Sequence, residues 1–506
     1  MGKFIIYQMF LRAFSKSNLP ESSLLLENYR CDFNSCGKFN NVTEDRLLEL
    51  KKLSVSAVWY TGVIAHGSKS EVDGIYQGNK SIIKGEAGSP YAIRDYYDLA
   101  PELAEDIDNR FSEFDALIER THNAGLKVII DFVPNHVFRE YKSKTDNFSD
   151  ENFYLLSDQL HLPESLGGEY YENPAKATGN NCFSPYPQIN DWYETIKLNY
   201  ENKDTWEKML RILLFWLSKG VDGFRCDMIE LVPAEFFCWA ISRVKERYPD
   251  ALFIGEAYQI DNYQRYLELG KFDLLYDKSI YYDTLIEVLK GYKGASVLSE
   301  GWKRLGQMQS SMLNFLENHD EQRISSEFMV RDGMKAIPAV AFSALFNKAP
   351  FMLYFGQEFG ESGILEEGFS GKDGRTSIFD YTLVPSINRF LNGKLTKEEK
   401  SIYKKYKEIL KSATTSIFSY GESFDLGYVN PHSEYFNPEK QFAFLRSYKG
   451  KGALVVINFD SQPADIQVNI PLHAFEYLNL KESDKFNSRD KISCKIASYD
   501  YLIIKL

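Results

Sequence analysis

Cysteine is scarce in this chain, with six in 506 residues. Cys31 and Cys36 lie close enough in sequence to bridge, whereas Cys182, Cys226, Cys238 and Cys494 are scattered. There is no paired C-x-x-C to suggest zinc, so a disulfide-stapled module or a zinc fold is excluded. Buried free thiols in a reducing compartment are the expectation. Basic residues are also in deficit: 59 Lys+Arg stand against 71 Asp+Glu, a net charge of −12. That balance argues against a nucleic-acid partner or an anionic membrane, because holding phosphates takes a surplus of Lys and Arg. No apolar run reaches the ~18 residues a membrane span needs. Neither H-E-x-x-H nor G-x-x-x-x-G-K-[ST] occurs, which removes the support for a metalloprotease or a phosphate-loop enzyme. Fixed-period repeats and low-complexity tracts are missing too.

What is present is globular: 44% apolar and 26% charged residues, with none of the signature of disorder. The aromatic share is high, with 33 Tyr, 36 Phe and 6 Trp. At ~150 residues per domain the length predicts about three domains, although one barrel can absorb ~250 or more. The segment Phe4–Phe10 after Lys3 weakly mimics an export signal. It is short for one and no small-residue cleavage site follows, so it reads as a buried strand and a cytoplasmic location is expected.

The first four-fifths of the chain alternates short apolar runs with amphipathic segments. Eight runs qualify as strands: Phe4–Gln8, Ala57–Tyr60, Val128–Phe132, Val221–Arg225, Leu252–Gly255, Asp273–Leu275, Met312–Leu316 and Phe351–Tyr354. Continuous apolar runs suit parallel strands covered on both faces. Between them, Trp206, Met209, Leu210, Leu213, Leu214 and Leu217 recur at helical spacing. Gly220 and Gly125 follow helical stretches as C-caps. Eight strand–helix units predict an α/β (β/α)8 barrel. Residues 134–204, rich in Asn, Pro, Tyr and Gly, are too long for a plain connection and predict an inserted loop-rich subdomain after the third strand. After about Ser412 the pattern changes to alternating strands such as Gln441–Arg446, Ala453–Asn458 and Ile466–Ile470. The expected division is a catalytic barrel over 1–412, interrupted by 134–204, and an antiparallel β-sandwich over 413–506.

Working residues of a barrel enzyme sit where strands end. Strand three ends at Asp131, followed by Asn135 and His136. Strand four ends in Arg225-Cys226-Asp227, strand five in Gly255-Glu256, strand seven in Glu317-Asn318-His319-Asp320, and strand eight in Gly356-Gln357-Glu358. Convergent carboxylates without a metal-ligand cluster suit acetal cleavage, which needs a proton for the leaving oxygen and a carboxylate for the oxocarbenium-like carbon. Arg225 leaves the strand on the same face as Asp227. A cation there favours the carboxylate form that a nucleophile requires. Glu256 follows an apolar approach, Leu252-Phe253-Ile254-Gly255, and a dry site raises a carboxyl pKa towards that of a general acid. An acid at a strand end is as often a helix cap as a working group, so the convergence carries the argument. His136 and His319, two of only seven histidines, could donate to sugar hydroxyls, and some of the aromatic excess could stack on sugar faces.

These segments resemble the alpha-amylase family (glycoside hydrolase family 13). Asp131-Phe132-Val133-Pro134-Asn135-His136 is similar to its first conserved region, Gly223–Asp227 to the second, Gly255-Glu256-Ala257 to the third and Phe315–Asp320 to the fourth, in the same order. Gln188–Trp192 is a loose form of the inserted domain's signature, and Trp59–Val63 and Gly371–Tyr381 resemble bacterial starch-degrading members. The resemblance implies Asp227 as nucleophile, Glu256 as general acid/base and Asp320 as the third carboxylate, which stabilises the distorted transition state. It implies that Arg225 holds Asp227, that Asp131 orients Arg225, that His136 and His319 bind hydroxyls, and that Tyr91 stacks on the same glucose. The implied substrate is an α-glucan or maltooligosaccharide, hydrolysed at α-1,4 bonds with retention. A 4-alpha-glucanotransferase or a cyclomaltodextrinase or neopullulanase would use the same residues, and a non-catalytic sugar-binding relative would have lost one carboxylate. No cofactor is implied. Many members bind calcium through the asparagine matching Asn135 and through a histidine after the nucleophile. Here Met228-Ile229-Glu230-Leu231 follows Asp227, so Asn135 stands alone and calcium lacks support.

Overall fold

A computed structural model describes residues 2–366, 371–482 and 491–506; the ranges 1–412 and 413–506 both include residues outside it. Eight parallel strands close into a barrel. They are β1 (Ile5–Phe10), β2 (Ala57–Thr61), β3 (Lys127–Phe132), β4 (Gly223–Cys226), β5 (Leu252–Gly255), β6 (Leu274–Tyr276), β7 (Met312–Phe315) and β8 (Phe351–Tyr354). β1 pairs with both β2 and β8 and so closes the ring. Each predicted strand is present, two with the expected bounds and six with an end moved by one or two residues.

Side-chain alternation divides every strand. Ile5, Tyr7, Met9, Val58, Tyr60, Val128 and Ile130 join the large cluster under the surrounding helices. Ile6, Ala57, Ile129, Ile254, Leu274, Leu313 and Met352 form a separate apolar cluster that fills the barrel. Two residues further along a strand, a side chain points the same way but nearer the C-terminal mouth. There the inward ladder turns polar: Ile6 gives way to Gln8, Ala57 to Trp59, Ile129 to Asp131, Gly223 to Arg225, Ile254 to Glu256 and Leu274 to Tyr276. The apolar plug sets a floor beneath these groups.

The helix Lys203–Ser218 starts at Asn202, whose side chain accepts from the Asp204 N–H, and buries Trp206, Met209, Leu210, Ile212, Leu213, Trp216 and Leu217. Leu214, expected on the same face, is half-buried. Gly125 and Gly220, at the ends of two such helices, have φ of +70° and +97°, the left-handed conformation in which glycine avoids a steric cost. Between β3 and that helix lie short antiparallel pairs, including His136–Phe138 with Thr195–Lys197.

The C-terminal part is an antiparallel β-sandwich. One sheet pairs β9 (Glu422–Asp425), β10 (Gln441–Tyr448), β11 (Lys451–Asn458) and β14 (Asp500–Lys505); β12 (Ala464–Val468) pairs with β13 (Ile492–Ile496). Ala443, Leu445, Leu454 and Val456 pack against Ile466, Val468 and Ile496 inside the sandwich. Their alternates Phe442, Phe444, Ala453, Val455 and Ile457 join the barrel's outer core. Arg446, on this barrel-facing side and fully buried, donates to the carbonyls of Leu345 (2.7 Å), Phe418 (2.9 Å) and Gly421 (2.7 Å). Burial lowers its pKa to about 9.

All six cysteines are free, but only Cys36 and Cys226 are buried. The expectation of buried thiols throughout is therefore corrected: Cys182 is exposed on the inserted subdomain and the other three are half-covered. Among the described residues no helix is long and apolar enough to cross a membrane.

Arg446→Ala strands three buried carbonyls between barrel and sandwich. Leaving buried acceptors unpaired costs ~1–3 kcal/mol each, so the variant should unfold at a clearly lower urea concentration than the parent.

Candidate active site at the barrel mouth

Arg225 organises the mouth. It lies beside Asp131 in the β3–β4 register and is fully buried. Its Nη1 is 2.6 Å from Asp227 Oδ1 and 3.8 Å from Asp131 Oδ1, and its Nη2 is 2.9 Å from Glu256 Oε1 and 3.9 Å from Asp320 Oδ2. Its Nε donates to the Tyr276 hydroxyl at 3.2 Å. The guanidinium lies 5.4 Å from the ring centroids of both Trp59 and Tyr91. One cation thus faces four carboxyl groups from four strand ends.

The carboxyls differ in surroundings. Asp131 accepts from Trp59 Nε1 (3.1 Å) and from the Tyr91 hydroxyl (3.2 Å). Burial outweighs Arg225 and raises its pKa to about 7. Glu256 accepts from the Met228 N–H at 2.7 Å and from the Tyr258 hydroxyl at 2.5 Å. Its pKa is raised by burial and by Asp227, against the pull of Arg225. Asp320 opens to the mouth with 40% of its side chain exposed, yet the protein around it and the neighbouring Glu256 raise its pKa well above the carboxylate range. Asn318 Oδ1 accepts from the N–H groups of Asp320 and Glu321, and Arg375 Nε donates to the Asp320 carbonyl.

Both candidate histidines are buried and held neutral. Burial lowers His136 to about 4 and takes His319 well below the usual imidazole value. Gln8 Nε2 donates to His319 Nδ1 at 2.9 Å, so the proton of the neutral ring sits on Nε2, 3.1 Å from Asp320 Oδ2. Tyr91 stacks on His319 with centroids 4.9 Å apart and planes 17° from parallel. His136 meets Trp192 of the inserted subdomain edge-on at 5.5 Å. A Cβ on Gly179 would stand 2.9 Å from His136 Cγ, so glycine lets this subdomain close against the ring.

Asp131, His136, Arg225, Asp227, Glu256, His319, Asp320 and Tyr91 therefore share one mouth. Two other acids at strand ends do not join them. Glu317 pairs with Arg323 at 2.9 Å and accepts from the Ile324 N–H; Glu358 accepts from the Tyr7 hydroxyl at 2.7 Å. Both are structural. Gln8, Tyr258 and Tyr276 border the mouth with no motif to mark them, and Trp59, the first residue of the Trp59–Val63 segment, joins them. Each lies on a barrel strand or within three residues of its end, the one signal that could have found them.

Asn135 Nδ2 donates to the Gly179 carbonyl at 2.7 Å and faces His136 Nδ1 at 3.0 Å, with Oδ1 left unpartnered. Calcium takes six to eight oxygens. Asn135 Oδ1 is one such oxygen, and among the described residues no group of three or more His, Cys, Asp or Glu stands with it.

Carboxyls in unlike surroundings, set around a fixed cation above an apolar floor, meet the needs of acetal cleavage. Fold and site together define a glycoside hydrolase built on a (β/α)8 barrel. The chain belongs to the alpha-amylase family: the family described as "Alpha amylase, catalytic domain" matches residues 8–381. It is 27% identical over 436 residues to alpha-amylase 3 of Dictyoglomus thermophilum, spanning 80% of this chain and 76% of that protein. It is 23% identical over 495 residues to the cyclomaltodextrinase of Thermoanaerobacter pseudethanolicus, spanning 94% and 74%. The fold matches the maltogenic alpha-amylase AmyB from Thermotoga neapolitana with a TM-score of 0.66 at 21% identity, covering 99% of this chain and 98% of that one.

Arg225→Lys keeps the charge but loses the planar fork that reaches several carboxyls at once. Glycosidase activity should fall by ~10²-fold or more, and a thermal melt should show a lower midpoint.

Proposed function

We propose that the protein is a retaining α-glucan hydrolase that cleaves α-1,4-glucosidic bonds of starch-like oligosaccharides through a covalent glycosyl-enzyme. The observation that carries this reading is the bridging of Asp227 and Glu256 by one guanidinium, at 2.6 and 2.9 Å. Such bridging sets the two carboxyls around one group, an arrangement that supports a closely spaced, retaining pair.

Asp227 attacks the anomeric carbon as Glu256 passes its proton to the leaving oxygen. Burial and the Asp227 charge raise the pKa of Glu256, so it can hold that proton. Once Asp227 becomes an ester its charge is gone, and Glu256 more readily stays ionised. In that form it takes a proton from water as the water attacks the anomeric carbon and frees Asp227. Asp320 accepts from sugar hydroxyls. His136 and His319, both neutral, contribute N–H groups without adding charge. Tyr91, backed by His319, offers a ring to the same sugar.

A second reading is favoured by the cyclomaltodextrinase relative, similar over 94% of this chain. A cyclomaltodextrinase or neopullulanase-type activity, or a 4-alpha-glucanotransferase, would use the same glycosyl-enzyme and differ in substrate or acceptor.

Asp227→Asn should lower turnover of maltoheptaose by at least ~10⁴-fold while leaving the circular dichroism spectrum and melting midpoint near those of the parent. Near-parental activity would overturn the assignment. Product profiles on maltoheptaose, pullulan and cyclodextrin, run side by side, distinguish the activities. Transfer products that outrun new reducing ends would replace the hydrolase by a transferase.

A further inference from the structure

Both oxygens of Glu256 are engaged, Oε2 by one neighbour and Oε1 by two. Its Oε2 accepts from the Met228 N–H at 2.7 Å. Its Oε1 lies 2.9 Å from Arg225 Nη2 and accepts from the Tyr258 hydroxyl at 2.5 Å. A general acid must present one oxygen to the glycosidic oxygen, and Oε1, the more crowded of the two, is cleared only where one of its neighbours gives way. The Met228 N–H is backbone. Arg225 is fully buried and bound to Asp227 and Tyr276 as well. Tyr258 differs from both: its residue is 38% exposed.

The backbone of Tyr258 is clamped on both sides. Its N–H donates to Glu230 Oε2 at 2.8 Å and its carbonyl accepts from Ser279 Oγ. Glu230 is itself held by the Gln259 N–H and Asn262 Nδ2. The main chain therefore stays while the side chain can turn about its own torsions. We propose that Tyr258 is a displaceable positioning residue, whose hydroxyl occupies Glu256 Oε1 in the free enzyme and yields it to the glycosidic oxygen when the glycan binds.

This inference rests on Glu256 being the general acid. The charged and titratable groups that face Glu256 are Arg225 and Asp227 from β4 and its end, Tyr276 from β6, Asp320 beyond β7, His136 beyond β3, and Tyr258 itself. Among these, only Tyr258 is expected to part from Glu256 on binding. Its hydrogen bond favours the ionised carboxylate, so losing it favours the protonated form.

The test compares the pH dependence of kcat/KM and of kcat for maltoheptaose in the parent and in Tyr258→Phe. The first reports the free enzyme and the second the substrate complex. In the variant the basic limb of kcat/KM should move to higher pH, while the basic limb of kcat stays where it is in the parent. Tyr258→Leu, which removes the ring too, should move the first limb in the same direction. Coincident kcat/KM limbs would overturn the proposal, as would equal displacement of both limbs, the mark of a contact kept throughout the cycle. Glu256→Gln in the same assay separates the underlying reading. If that variant keeps the parent's basic limb, Glu256 is not the acid, whatever the Tyr258 variants show.

Discussion

The mouth of this barrel depends on a single buried guanidinium. An arginine without solvent would be costly alone, and several buried carboxyls would be costlier still. Arg225 and its four acids make one another tolerable, because each Nη faces two carboxyls and Nε finds the Tyr276 hydroxyl. The planar fork matters as much as the charge, since a lysine ammonium is a point and cannot address acids on opposite sides. The strand register makes this possible: Arg225 stands beside Asp131 across β3 and β4, with Asp227 two residues further along the same chain.

The layer around that hub is built to fix orientation. Gln8 pins the tautomer of His319, Tyr91 stacks on the same ring, and the Tyr91 hydroxyl reaches Asp131. Trp59 completes the circuit by donating to Asp131. These contacts join β1, β2, β3 and β7, so displacement of one side chain is felt by several. The inserted subdomain closes the remaining side through Trp192 and the backbone of Gly179.

The fold was legible because it is written in local periodicity. Eight buried parallel strands read as eight apolar runs, and the glycines after the helices marked their ends. The C-terminal sandwich was legible for the same reason in β10 and β11, where alternate residues serve two cores. The site was legible only in outline. Asp227, Glu256 and Asp320 stand at strand ends, but so do Glu317 and Glu358, and composition does not separate them. What separates them is a partner seen only in three dimensions, Arg323 for Glu317 and, 351 positions away in sequence, Tyr7 for Glu358. Gln8 was hidden for a related reason. A polar residue inside an apolar strand is conspicuous only once the strand's inward parity is known. Scattered cysteines likewise say little about burial, and Cys182 lies exposed on a loop that hydropathy alone does not place.

Proton inventory ties the electrostatics to the chemistry. Four carboxyls share one fixed cation, and close like charges cannot all ionise together. The crowding favours retention of protons in the mouth, in keeping with the upward displacement of Asp131, Glu256 and Asp320. The histidines do not compete for them, because burial holds both neutral. A sugar hydroxyl in the mouth therefore meets imidazole N–H groups that carry no charge to neutralise the acids. The surplus of 12 acidic side chains over the whole molecule is remote from this balance. It is spread over 506 residues, whereas the reactivity of the mouth follows from three more acids than cations around one buried guanidinium.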